Sequence, residues 1–141
     1  MTVHLSANSG WIELYLTEYT GVDQTNPIDA LAGASGSASS VSSSNAPTTV
    51  AGDVIYGYCV GDWACMVDPG FAARSTFDSN LIEDKLAGNA GTYAATASAT
   101  NGWTMHMLRS NHGRIRGFRY AQMCLGNCLG VRKRISLPPS S

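Results

Sequence analysis

The stretch DVIYGYCVG, Asp53–Gly61, decides the fold. Val54, Tyr56, Tyr58 and Val60 alternate in it with Ile55, Gly57 and Cys59. A period of two gives an extended strand two distinct faces and gives a helix none. The β-branched and aromatic side chains are those that suit a pleated surface. Working outward, Trp11–Tyr19 repeats the pattern, with Ile12, Leu14, Leu16 and Glu18 on one face and Trp11, Glu13, Tyr15, Thr17 and Tyr19 on the other. Further strands are predicted over Ala72–Phe77, Asn80–Leu86, Tyr93–Ala99 and Trp103–Leu108, with turns at Gly21–Pro27, Asp68-Pro69-Gly70, Gly88–Gly91 and Asn101-Gly102. Asn-Gly is the strongest of these, a tight-hairpin signal. Between Ala32 and Val50 nearly every residue is small, which suits a linker, while Val41 and Thr48-Thr49-Val50 permit thin edge strands. Short strands at this spacing, with no strand–helix–strand rhythm, predict an all-β antiparallel β-sandwich or jelly-roll-like fragment.

Composition agrees. The 141 residues fit one domain; only 13% are charged, and 15 are glycine. No apolar run reaches membrane-spanning length, and neither a heptad pattern nor a wholly polar composition is present, so a helical membrane protein, a coiled coil and a disordered chain are excluded. Met1–Trp11 lacks the basic start and apolar core of an export signal, so the expected location is the cytoplasm.

The net charge of −1 hides two unlike segments. Residues 1–108 hold all ten acids and only Arg74 and Lys85 as bases, a charge of −8. Residues 109–141 hold Arg109, Arg114, Arg116, Arg119, Arg132, Lys133 and Arg134 and no acid, a charge of +7. The expected division is therefore a β-sandwich body over 1–108 and an irregular basic tail over 109–141, with room for a short helix near Phe118–Leu125 and a disordered end. Phe118 and Tyr120 among the arginines would suit nucleic acid, but no nucleic-acid fold accompanies them, and the tail is expected to lie against acidic surface.

Several segments stand in a familiar order: Glu18–Asp23, Thr25–Asp29, Asp53-Val54, Gly70-Phe71-Ala72-Ala73-Arg74, Glu83-Asp84-Lys85, Gly91–Thr96 and Trp103–Met107. Together they resemble a β-sandwich module of secreted multidomain bacterial proteins. The resemblance implies a non-catalytic domain that sits beside carbohydrate-active or adhesive partners. It implies too a fragment, because the family has strands before Trp11 and nothing like the tail; a reading frame that enters a domain gene late and leaves it out of frame would produce both. An incomplete sandwich is expected to cover its open face by homo-oligomerisation.

The chain holds no Gly-x-Ser-x-Gly, no phosphate loop, no dinucleotide fingerprint and no His-Glu-x-x-His. Cys59, Cys65, Cys124 and Cys128 do not have zinc-knuckle spacing and read as structural thiols, with a Cys124–Cys128 disulfide or soft-metal site as the alternative. His106 alternates with Met105 and Met107 and projects from the opposite face. Glu18 continues the Ile12-Leu14-Leu16 face, and Asp84 lies between Ile82 and Leu86 on a predicted core face, where a carboxylate needs a partner. An ion pair from Arg74 to Glu18 or Asp84 meets that need. So does a divalent cation (calcium, manganese or zinc) on Glu18 and Asp84, with His106 and Glu83 as catalytic ligand or base. The functional expectation placed first is thus a small metal-dependent hydrolase of activated phosphate or carboxylate esters. The alternative is a glycan- or surface-binding module that stacks sugars on Trp11, Tyr15, Tyr19 or Trp63.

Overall fold

The computed structural model of the chain describes Ser6 and residues 11–126. Among these there are strands and a single 3₁₀ turn, Phe77–Ser79, and no α-helix. The strands are β1 (Trp11–Val22), β2 (Ile28–Gly36), β3 (Ser40–Ser42), β4 (Ala46–Pro47), β5 (Val54–Gly61), β6 (Met66–Val67), β7 (Ala72–Ser75), β8 (Leu81–Leu86), β9 (Thr92–Tyr93), β10 (Thr96–Ser98), β11 (Trp103–Ser110) and β12 (His112–Gly126). The chain is all-β and sandwich-like, as its alternation requires.

One compact unit spans Tyr19–Gly117. Its main sheet runs β2-β11-β5-β8-β7, antiparallel throughout, and its smaller sheet runs β3-β10-β6. β4 and β9 pair separately. Register sorts the main sheet into two faces. Met105, Met107, Ile55, Cys59 and Leu81 point inward and join Val41, Ala95 and Ala97 in one buried cluster. His106, Leu108, Tyr56, Tyr58, Ile82 and Asp84 stand on the outer face. Gly57 is tightly enclosed: a Cβ there would lie 2.8 Å from Met105 Cε and 3.0 Å from both Ala95 Cβ and Glu83 Cγ. No larger residue fits there without moving the core.

The second unit comprises residues 1–18 and 118–141, within which β1 and β12 supply the described strands. Backbone bonds from Asp23 N to Asn111 O and from Asn111 N to Pro27 O, 3.0 Å each, mark where β1 gives way to β2 and β11 to β12. Asp23 caps its own turn, its Oδ1 accepting from the N–H groups of Thr25 and Asn26 at 2.7 Å, which lowers its pKa.

Three sequence expectations are corrected. The body does not end at Leu108: β11 continues through Arg109 and Ser110, both buried, and residues 118–125 lie on strand β12 where a short helix was allowed. Arginine spacing says little about a strand, and the glycines that weaken a helix do not forbid an extended chain. The Asn101-Gly102 turn joins strands of different sheets, β10 and β11, and neither residue has positive φ, so it is a crossover and not a tight hairpin. Finally, Ile82, Asp84 and Leu86 face outward, and the core face of β8 is Leu81, Glu83 and Lys85. Leu81 to Asp84 are all buried, so the apolar alternation could not tell the two faces apart.

Candidate functional site

The two carboxylates of β8 are neighbours in sequence and therefore on opposite faces. Glu83 lies in the core, fully buried, and neither carboxylate oxygen has a hydrogen-bond partner. Burial above all, then the charges of Asp68 and Asp84, pushes its pKa up to about 8, with Lys85 opposing. At neutral pH Glu83 holds its proton. Asp84 is nearly as buried but fully engaged. Its Oδ1 accepts from Arg74 Nε at 2.9 Å and Nη2 at 2.6 Å, and its Oδ2 accepts from the Tyr19 hydroxyl at 2.8 Å. Burial, and then Asp84 itself, holds the Tyr19 phenol far above its ordinary range. Of the two carboxylates offered to Arg74 by sequence, it takes Asp84.

His106 is exposed on the outer face. It lines an open groove of about 550 Å³ with Leu31, Gly33, Tyr56, Tyr58 and Leu108. A Cβ at Gly33 would sit 3.1 Å from His106 Nδ1, so the missing side chain leaves the imidazole its room. The sheet itself separates His106 from Glu83. Glu18 is exposed and belongs to the second unit. Among the described residues, no group of three or more His, Cys, Asp or Glu side chains stands close enough to hold a metal ion.

Arg109, assigned by sequence to the tail, is the largest fully buried side chain among the described residues. Its Nη2 donates to Asp53 Oδ2 at 3.0 Å, its Nη1 lies 3.9 Å from Asp29 Oδ2, and the guanidinium sits 5.4 Å from the Tyr93 ring centre. Thr48 Oγ1 also donates to Asp53 Oδ2, at 2.8 Å. Lys85 stands over Phe71 at 4.1 Å, and burial lowers its pKa. Arg109 and Lys85 both lie opposite Ile55, at the end of the sheet where β5 begins.

The opposite end of the sheet is different. After β5 the chain turns through Gly61, Asp62, Trp63 and Ala64 to Cys65, and a Cys59–Cys65 disulfide fastens both ends of this loop. The expectation that these were separate thiols is thereby corrected; the Cys124–Cys128 pairing lies outside the described residues, because Cys128 does. Asp62 N donates to Gly102 O at 2.9 Å, and the Asn101 amide oxygen accepts from Trp63 Nε1 at 2.6 Å with the amide turned toward the indole. Thus pinned, Trp63 is still 64% exposed. Beside it opens a groove of about 480 Å³ lined by Ser35, Val60, Asp62, Trp103 and Thr104 and by glycine backbone at Gly36, Gly61 and Gly102. A Cβ at Gly61 would fall 2.6 Å from Trp63 O, and one at Gly102 2.6 Å from Asp62 Oδ2, so both glycines are needed for the loop to lie this close.

Of the proposed sugar platforms whose side chains the structure describes, Trp63 is the one offered to solvent here. Tyr19 is bound to Asp84, Tyr15 donates to Glu13 Oε2 at 2.9 Å, and the Trp11 side chain lies outside what the structure describes. Sequence reasoning did not find Ser35, Asp62, Asn101 or Thr104. The signal was two cysteines bracketing an Asp-Trp pair, together with a distant Asn-Gly that their loop leans on. Compared with protein-family models, curated proteins and solved structures, the chain matches none.

Proposed function

We propose that this chain is a non-catalytic glycan-binding β-sandwich module whose platform is Trp63. The observation that carries the reading is a large indole left 64% exposed on a loop that a disulfide and two hydrogen bonds hold still. Solvating a flat apolar ring costs free energy that packing would recover, and a mobile loop would let it pack. A fixed ring instead offers its face to the C–H side of a sugar, and a fixed loop loses little entropy on binding. Ser35, Asp62 and Thr104 supply the hydroxyl and carboxylate groups with which the adjoining groove would meet sugar hydroxyls. The resemblance to modules that accompany carbohydrate-active proteins points the same way.

Metal-dependent ester hydrolysis has less behind it. Asp84 already spends both oxygens on Arg74 and Tyr19, and Glu83 and His106 lie on opposite faces of one sheet. The test is retention on insoluble cellulose, chitin and xylan, followed by a glycan array. The expected result is saturable binding to at least one glycan, weakened roughly tenfold or more by Trp63→Ala. Retention on none of them, or a Trp63→Ala protein that binds as the parent does, overturns the reading.

A further inference from the structure

The main sheet has two edge strands, and they are finished differently. β7 is four residues long, carries Arg74, and is broken by a register shift between Ala73 and Ser75. In the smaller sheet the edges are three and two residues long. Short strands, charges and bulges are the means by which sheets keep their edges from pairing with other chains. β2 is nine residues long, and its one register shift is at its start, beside Asp29. From Ala30 to Gly36 it runs in unbroken register along β11, with no charge and no proline, through Ala30, Leu31, Ala32, Gly33, Ala34, Ser35 and Gly36. Its only charge, Asp29, is taken up by Arg109 and by Thr49, whose hydroxyl donates to Asp29 Oδ1 at 3.1 Å. Among the described residues, no other strand pairs with the far side of β2. Next to that edge Leu31 is 66% exposed and continues the groove that Leu108, Tyr56 and Tyr58 line.

We infer that β2 is the interface for a second copy of this chain, joined edge to edge and antiparallel about a two-fold axis near Gly33, so that two five-stranded sheets become one of ten. The inference does not rest on the glycan reading. An exposed strand edge presents alternate N–H and C=O groups whose natural complement is another strand. Self-pairing about Gly33 sets Ala32 against the second copy's Ala34 and Leu31 against its Ser35, so no two bulky side chains meet. A neutral segment brought against itself opposes no like charges, whereas the acidic remainder of the body would repel itself. Each Leu31 would then stand beside the second copy's Ser35 on one continuous outer face, an isologous contact that closes at two.

The experiment is sedimentation velocity on the full chain up to about 100 micromolar, with hydrogen exchange at two concentrations. The expected result is a dimer whose residues 30–36 gain amide protection as concentration rises. Leu31→Lys, an exposed position whose change leaves the core alone, is expected to raise the dimer dissociation constant roughly tenfold or more. Leu86→Lys, equally exposed but three strands or about 14 Å away, is expected to leave it unchanged. A monomer throughout the range overturns the inference. So does a dimer that yields to Leu86→Lys and not to Leu31→Lys, which would be packing face to face, or one whose β2 amides exchange equally at both concentrations.

Discussion

Glu83 and Asp84 are adjacent carboxylates, both almost wholly buried, and they have opposite fates. Asp84, on the outer face, meets three donor groups from Arg74 and Tyr19. Glu83, on the inner face beside Gly57, has no hydrogen-bond partner and keeps its proton up to about pH 8. A buried carboxyl group can be satisfied by counter-charge or can give up its charge. One β-strand uses both solutions a single residue apart, because each step along a strand changes the environment completely. The electrostatics of this protein are thus set by which face a residue stands on more than by how deep it lies.

The comparison can be broken most severely at a third buried charge. Arg109→Met leaves Asp53 fully buried without its guanidinium, and the expected loss in stability by chemical denaturation is about 3–5 kcal/mol at pH 7. Glu83 should do the reverse. Below about pH 4 folded and unfolded chains both carry its proton, and the group contributes nothing to the pH dependence. Between its ordinary value of 4.5 and about 8 the unfolded chain ionises while the folded one does not, so stability falls as pH rises. Above 8 the loss is complete. Glu83→Gln is therefore expected to be worth about 3–5 kcal/mol of added stability at pH 8.5 and little at pH 4. Denaturation curves at both pH values check this, and a pH-independent difference would break the contrast between the two carboxylates.

Asp84→Asn removes the counter-charge from Arg74, which is itself 29% exposed and can turn to water. Its expected cost is about 1–3 kcal/mol, less than that of Arg109→Met, measured in the same way. Replacing Cys59 and Cys65 together with alanine opens the Trp63 loop and is expected to cost about 2 kcal/mol. The smallest effect belongs to Trp63→Ala, under about 1 kcal/mol in thermal or chemical denaturation, because its ring is mostly in water in the folded state. A larger loss would make that indole a packing residue and weaken its reading as a platform.

Much of the fold could be read from sequence because side-chain period is a direct image of strand geometry. Asp53–Gly61 and Trp103–Met107 alternate cleanly, and their inward sets, Ile55 and Cys59, Met105 and Met107, are those of the core. His106 was rightly directed away from that core. β8 was misread because tertiary contacts bury both of its sides, and a doubly buried strand has no polar face to mark it. Arg109 was misread because it was counted with the arginines that follow it, although its partners, Asp29 and Asp53, lie far back in the chain. The Trp63 site was half legible. The aromatic residue was noticed, but nothing local shows that Cys59 meets Cys65 or that Asn101 comes round to meet the indole.

The loop bearing Trp63 is also where a protease would find the chain. Asp62, Trp63 and Ala64 are all exposed, and an enzyme that prefers aromatic residues would cut after Trp63. That bond lies inside the ring closed by Cys59 and Cys65, so the cut divides the polypeptide without releasing a piece. The nicked protein would gain only the mass of one water and keep its sandwich, and its two fragments would part on a denaturing gel only after a thiol is added.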